Sequence, residues 1–139
     1  MRLAALQDAP NAFEATYERE VHADETIWRR RLGGRAQFVI ELDGQVAGTA
    51  GGVHEESYVA LISMWVAPSA RGKGAGDALV TAVLGWAREE GRHEVRLWVV
   101  DSNAAAQRLY SRCGFVPTGA TQPVVPGQPR MELEMKRKL

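Results

Sequence analysis

The chain carries one cysteine, Cys113, in 139 residues. That excludes an internal disulfide and a CxxC metal site. Its three histidines, His22, His54 and His93, are scattered without metal-ligand spacing, so no metal is expected. No apolar run approaches the ~18 residues of a membrane-spanning helix. The opening stretch, Met1 to Leu6, turns polar too soon for a signal peptide. Net charge is missing as well: 17 basic and 17 acidic residues cancel. No global field therefore favours nucleic acid or a membrane surface, and any anion site must be local. Internal repeats and low-complexity tracts are absent. There remains a chain with 45% hydrophobic and 24% charged residues, the composition of a soluble globular protein. Its length suits a single domain over residues 1–139, and a reducing, cytoplasmic setting is the expectation.

What the chain does have is glycine in one telling place. Arg71-Gly72-Lys73-Gly74-Ala75-Gly76 follows the apolar run Val59 to Val66 and opens a long amphipathic segment. That is a strand, a glycine-rich turn and a helix start. The first turn of a helix has backbone N–H groups without intrahelical partners, and the macrodipole adds partial positive charge there. Glycine lets such a backbone approach a bulky anion closely. Arg71 and Lys73 add formal charge, so the stretch reads as a phosphate or pyrophosphate seat. It is not a P-loop, because no Gly-Lys-Ser/Thr occurs. It is a poor dinucleotide fingerprint, because Asp77 stands where the last glycine belongs.

Along the rest of the chain, Leu3 to Leu6 reads as the tail of a helix. Phe13, Tyr17 and Val21 recur at helical spacing, which predicts a short helix over Asn11 to Val21 with Asn11 as a cap. Asp24 is placed to cap a further helix bearing Ile27, Trp28, Arg31 and Leu32, stopped by Gly33-Gly34. Phe38, Ile40 and Leu42 alternate as a strand. Asp43-Gly44 signals a two-residue hairpin. The return strand, Gln45 to His54, holds Gly48, Gly51 and Gly52, which suggests a bulge or a closely packed neighbour. Tyr58 to Val66 reads as a central strand, apolar on both faces. Ala75, Ala78, Leu79, Ala82, Val83, Trp86 and Ala87 make one helical face, with Gly91 as its C′ residue. Val95 to Val100 is another apolar strand, so a right-handed parallel crossover is expected. Asp101, Ser102 or Asn103 caps the next helix, which ends at Gly114. Phe115-Val116 starts a short strand, Thr118 to Pro129 reads as a loop or hairpin excursion, and Met131 to Met135 as a final strand. Lys136-Arg137-Lys138 reads as a solvated tail.

A second motif follows the glycine turn at one strand's remove: Asn103-Ala104-Ala105-Ala106-Gln107-Arg108-Leu109-Tyr110, then Gly114-Phe115. Together with Arg71-x-x-Gly74-x-Gly76 and the Val66-Ala67-Pro68 entry, it resembles the two signatures of the GNAT superfamily of N-acyltransferases. The resemblance covers Val59 to Phe115 well and the flanking hairpin and final strand more loosely. It implies an α/β fold with a mixed sheet and acetyl-CoA as co-substrate. It also implies that backbone N–H groups of Arg71, Gly72, Lys73, Gly74, Ala75 and Gly76 hold the pyrophosphate. The backbone of Met64, Trp65 and Val66 would pair with the pantetheine arm as an added strand. Asn103 would bond that arm, and Tyr110 would face the thioester sulfur as general acid. For Asn103 a plain helix cap is the competing role, and for Tyr110 a core tyrosine. Cys113 reads as a small buried hydrophobe.

One departure bears on the sheet. Members of that family usually begin with a strand and a complete first helix, whereas this chain begins at what reads as that helix's end. The expected fold therefore lacks the usual first strand, and the exposed edge needs a loop or a second copy, in a homodimer, to cover it. No carboxylate lies in Tyr58 to Val66 to serve as general base, only Ser63. Glu41, His54, Glu55 and Glu56 are the candidates nearby, while His22 and His93 read as surface residues. The resemblance implies an N-acetyltransferase acting by direct attack of a primary amine, on a small molecule or on a protein N-terminus or lysine. The competing reading is a module that binds or senses acyl-CoA without turnover. A nucleotide-binding α/β domain is a third.

Overall fold

The computed structural model describes residues 16–22, 25–32 and 34–139. One mixed sheet runs through them in the order β1-β2-β3-β4-β5-β6-β8-β7. The strands are β1 (Thr16–His22), β2 (Glu25–Leu32), β3 (Arg35–Leu42), β4 (Gln45–His54), β5 (Val59–Val66), β6 (Glu94–Val100), β7 (Val116–Pro123) and β8 (Met131–Lys138). Among the described residues two α-helices, α1 (Ala75–Glu89) and α2 (Ala104–Arg112), follow β5 and β6. Among the described strands only β5 and β6 pair in parallel, through α1 as the crossover. This is the mixed α/β architecture expected.

The local chemistry explains most of it. Asp43 and Gly44 both take positive φ, 53° and 80°, the turn that twists β3 back into β4. Gly91 (φ 73°) closes α1: its N–H donates to Arg88 O, and Arg92 N–H donates to Ala87 O, a complete Schellman motif. Leu79, Val80, Val83 and Trp86 of α1 are buried against the sheet. Gly52 of β4 makes that packing possible, since a Cβ there would stand 2.8 Å from the Trp86 ring. The glycines of β4 thus answer to both expectations, because the β4–β5 register also shifts between Thr49 and Gly51.

Three expectations are corrected. The helices expected over Asn11 to Val21 and after Asp24 are strands where described: β1 and β2 form an antiparallel hairpin, and β2 pairs with β3 from Glu25↔Leu42 to Leu32↔Arg35. Ile27 and Arg29 are buried two positions apart, the strand period, and the segment is rich in β-branched and aromatic residues that favour it. The edge beside β3 is thus lined by the chain's own hairpin. Leu3 to Leu6, Asn11 and Phe13 lie outside the described residues. At the other end, Lys136-Arg137-Lys138 is no loose tail but part of β8, in register with Glu94 to Arg96. Likewise β7 runs on to Pro123 through a register shift between Pro117 and Thr121. It lies at the sheet edge, where proline is tolerated.

β5 is also less buried than its composition suggests. Val59 and Leu61 are buried, but Ile62 and Trp65 are 37% and 48% exposed. The cause is geometric: β5 pairs with β6 only at Val59↔Val95 and Ala60↔Arg96, after which the two strands part.

Candidate active site

The parting of β5 and β6 leaves the β6-facing edge of β5 without a strand partner from Leu61 onward among the described residues. On its other side β5 carries a bulge. Ile62 to Trp65 spans the stretch that Gly51 to Thr49 covers on β4, one residue too many. Ser63 absorbs it at φ 54°, in the left-handed region, and its carbonyl accepts a hydrogen bond from Thr49 Oγ1 at 3.2 Å. The only polar residue of the strand is thus at its one strained position.

The glycine turn follows a single 3-10 turn at Pro68–Ala70. Gly72 and Gly74 have φ of 77° and 83°, and no atom lies within 4 Å of a Cβ built on either. Gly74 is the N-cap of α1 and offers no side chain to the helix start. Arg71 N–H and Lys73 N–H turn inward, to Pro68 O and Ala70 O. The N–H groups of Gly72, Gly74, Ala75 and Gly76 have no such partner among the described residues. Four donors at a helix N-terminus, with no side chain in the way, fit a pyrophosphate.

The helix after β6 supplies the facing wall. Asn103 caps it, Oδ1 accepting from Ala106 N–H at 3.0 Å, so the cap role is real. Its amide nitrogen has no protein partner among the described residues. At the far end Gly114 (φ 91°) lets Phe115 N–H donate to Tyr110 O at 3.0 Å, another Schellman closure. The motif Tyr110-x-x-x-Gly114-Phe115 is in physical terms this turn. It seats the Phe115 ring edge-on to Tyr110, with centroids 6.0 Å apart. Tyr110 is buried to 5% exposure, and its hydroxyl has no protein hydrogen bond among the described residues. Burial, with the Cys113 thiolate adding, pushes its phenol up to about 12. Cys113 is pushed up to about 11 by burial first and then by Asp77, whose carboxylate its Sγ meets at 3.6 Å.

These walls enclose a cleft of about 910 Å³. Of the residues singled out in the sequence, Met64, Trp65, Val66, Arg71, Gly72, Gly74, Gly76, Asn103 and Tyr110 line it. Lys73 and Ala75 do not: the lysine is exposed at the turn, and Ala75 is packed in the core. A smaller cleft of about 210 Å³ occupies the fork between β5 and β6. The two share Met64, Asn103, Ala106 and Tyr110. Arg108, Leu109 and Arg112 line the larger cleft too; the first two stood in the sequence only as members of the Asn103 to Tyr110 motif, with no site role, and Arg112 went unread. The spacing of 105, 108, 109 and 112 would have put them on one helix face. Arg112 ties the helices together at Asp77, 3.3 Å away.

The candidate bases do not reach this place. His54 pairs with Val59 at the opposite end of β5 and is held by Arg92 and Glu90, each at 2.9 Å. Glu55 and Glu56 lie in the turn before β5. Ser63 is four residues beyond Val59, about 13 Å along a strand. Glu41 is buried on β3, two strands away. Among the described residues no cluster of His, Cys, Asp or Glu could hold a metal, and no helix is long and apolar enough to cross a membrane.

Comparison with known proteins identifies the family and the fold. The model of the acetyltransferase (GNAT) family matches residues 3–115. An uncharacterised N-acetyltransferase of Methanocaldococcus jannaschii is 31% identical over 95 residues, 63% of this chain and 42% of that protein. The chain spans less than half the length of the curated relatives it matches. Among solved structures, nourseothricin acetyltransferase superposes with a TM-score of 0.71 at 24% identity, over 89% of this chain and 84% of that one. A Bacillus subtilis acetyltransferase in complex with CoA gives 0.66 at 19% identity, over 78% and 79%.

Proposed function

The chain belongs to the GNAT acetyltransferase family, and on that premise we propose that it transfers an acetyl group from acetyl-CoA to a primary amine. The observation that carries the reading is the junction of the two clefts at Tyr110. The larger offers pyrophosphate donors at one end and the open edge of β5 along its side. The smaller offers a second entrance to the same phenol.

When bound, acetyl-CoA supplies the acetyl group as an activated thioester. The residues of this chain hold and orient it. Gly72, Gly74 and Gly76, which line the larger cleft, present N–H groups to the pyrophosphate, and Arg71 adds charge beside them. The free edge of β5 at Met64 to Val66 takes the pantetheine amides in the manner of an added strand. The Asn103 amide nitrogen is a further donor on the facing wall. Tyr110 is neutral at any ordinary pH, because its phenol titrates near 12. It therefore donates a hydrogen bond to the sulfur as the C–S bond breaks and the C–N bond forms. A thiol titrates near 8.5, so full proton transfer from Tyr110 is uphill and the thiolate takes its proton from solvent. The attacking amine loses its own proton to water in the fork, since no carboxylate lines the smaller cleft.

That same lack favours a second reading, a module that binds acyl-CoA without turnover. One assay separates them: thiol release from acetyl-CoA with a panel of primary amines, alongside a melting curve with acetyl-CoA. Stabilisation with turnover supports the transferase. Stabilisation without turnover by any amine supports the binding module.

A further inference from the structure

The smaller cleft has a lining that speaks to its occupant. Leu61, Ile62, Met64, Trp98, Val99 and Val100 supply its walls, and Ser63, Asn103 and Tyr110 are its polar groups. No charged side chain lines it. Ile62 from β5 and Trp98 from β6 both line it, and they are 37% and 38% exposed. Large apolar side chains left open beside a buried phenol are surface that a ligand would cover.

We propose that the acceptor is a small primary amine carried on an aromatic or apolar arm, and that Trp98 is the residue that selects it. The proposal rests on the transferase reading above and names its substrate class. Three observations converge on it. The cleft's 210 Å³ exceeds the roughly 150 Å³ of an apolar cavity that accepts benzene, so one ring and a short arm fit. The large apolar side chains reward burial of a ring, and no carboxylate lines the cleft to pair with a second ammonium. The carboxylate opposite Trp98 in the sheet, Glu134, is already engaged. It accepts from Thr118 Oγ1 at 2.8 Å and pairs with Arg96 at 3.6 Å. The next carboxylate, Glu132 opposite Val100, accepts from Gln122 Nε2 at 2.6 Å, and neither carboxylate lines the cleft to meet a polyamine or other polycation. The reacting amine itself is met by the Tyr110, Asn103 and Ser63 end of the cleft, so the ring lies toward Trp98.

The test is steady-state thiol release from acetyl-CoA with 2-phenylethylamine, ethanolamine and spermidine, on the native chain, Trp98→Ala and Trp98→Phe. We expect kcat/KM for phenylethylamine to exceed that of the other two by about tenfold or more, a gap of about 1.4 kcal/mol. Trp98→Ala should raise the KM for phenylethylamine by a similar factor, and Trp98→Phe should restore most of it. Acetyl-CoA should stabilise all three proteins equally. Spermidine or ethanolamine equalling phenylethylamine would overturn the proposal and leave the transferase standing. So would an unchanged KM in Trp98→Ala. If acetyl-CoA stabilises the protein but no amine is acetylated, the transferase reading falls and this inference with it. If Trp98→Ala does not fold, the native selectivity and the Trp98→Phe kinetics decide.

Discussion

Gly76 and Leu109 set the distance between the two helices that wall the larger cleft. A Cβ on Gly76 would stand 3.0 Å from Leu109 Cδ2 and 3.6 Å from Met64 Cε. Gly76 thus serves helix contact as well as anion approach, and both neighbours line the cleft.

Gly76→Ala therefore separates stability from binding. In the first turn of a helix alanine gains up to about 1 kcal/mol over glycine. The displaced Leu109 methyl is the end of a flexible side chain, so the steric cost is of similar size. Global stability should change by less than about 1 kcal/mol. Acetyl-CoA affinity should drop about tenfold, because the movement is taken up in the cleft wall. Calorimetric titration and urea unfolding on the same sample check both halves. Unaltered affinity would mean that Leu109 yields without narrowing the site.

Gly74 gives the complementary case. Its φ of 83° is left-handed, yet nothing lies within 4 Å of its would-be Cβ. Gly74→Ala should cost only backbone strain, about 1–2 kcal/mol. Gly74→Asp adds a negative charge among the pyrophosphate donors and should abolish the acetyl-CoA thermal shift while the apo protein stays folded. Normal binding by the Asp variant would move the phosphate seat elsewhere.

How much of this was legible in the sequence depends on which forces act locally. The two glycine-terminated helices, the Asp43-Gly44 turn and the crossover follow from short-range rules, and their residues sit where the patterns put them. Lys136 to Lys138 were misread because β6, distant in sequence, holds them. Thr16 to His22 and Glu25 to Leu32 were misread although their partners are adjacent in sequence, β1 pairing with β2 and β2 with β3: the helical spacing of Phe13, Tyr17 and Val21 outweighed the hairpin signal of Gly33-Gly34. The glycines of β4 had suggested a bulge, but nothing placed its strain at Ser63 on the facing strand, since a strained serine on a strand looks like any serine. The loss of His54 as a base was equally hidden. Its partners, Arg92 and Glu90, come from the end of α1 and the turn beyond. Of the turn's donors, Arg71 and Lys73 were over-read. A run of N–H groups cannot show which ones the turn consumes itself.

Tyr110→Phe should lower kcat by about 10²-fold and leave acetyl-CoA affinity nearly unchanged. The change keeps the ring contact with Phe115 and removes only a hydroxyl that no group bonds among the described residues. Because the phenol titrates near 12, the native kcat profile should show no descending limb from Tyr110 below about pH 11. Steady-state kinetics over pH, with chemistry shown to be rate-limiting, decide this. An unchanged kcat would make Tyr110 a core residue and nothing more.

The same burial gives a stability signature at alkaline pH. The phenol's ordinary value is 10.0, and in the folded chain it rises to about 12, chiefly through burial. The folded state then holds this proton more tightly than the unfolded chain does. Between those values the unfolded state binds fewer protons, so stability falls as pH rises. The contribution is fully present below pH 10 and is lost by pH 12, about 2–3 kcal/mol in all at 1.36 per unit. Cys113, raised from 9.0 to about 11, loses stability in the same direction from pH 9 upward. Tyr110→Phe has no such proton to lose. Its unfolding free energy should match the native chain's at pH 8 and exceed it by about 2 kcal/mol near pH 11.5. Urea unfolding at the two pH values measures the difference, in which lysines and the other tyrosines cancel. Parallel declines in the two proteins would mean that the Tyr110 phenol is as well hydrated folded as unfolded.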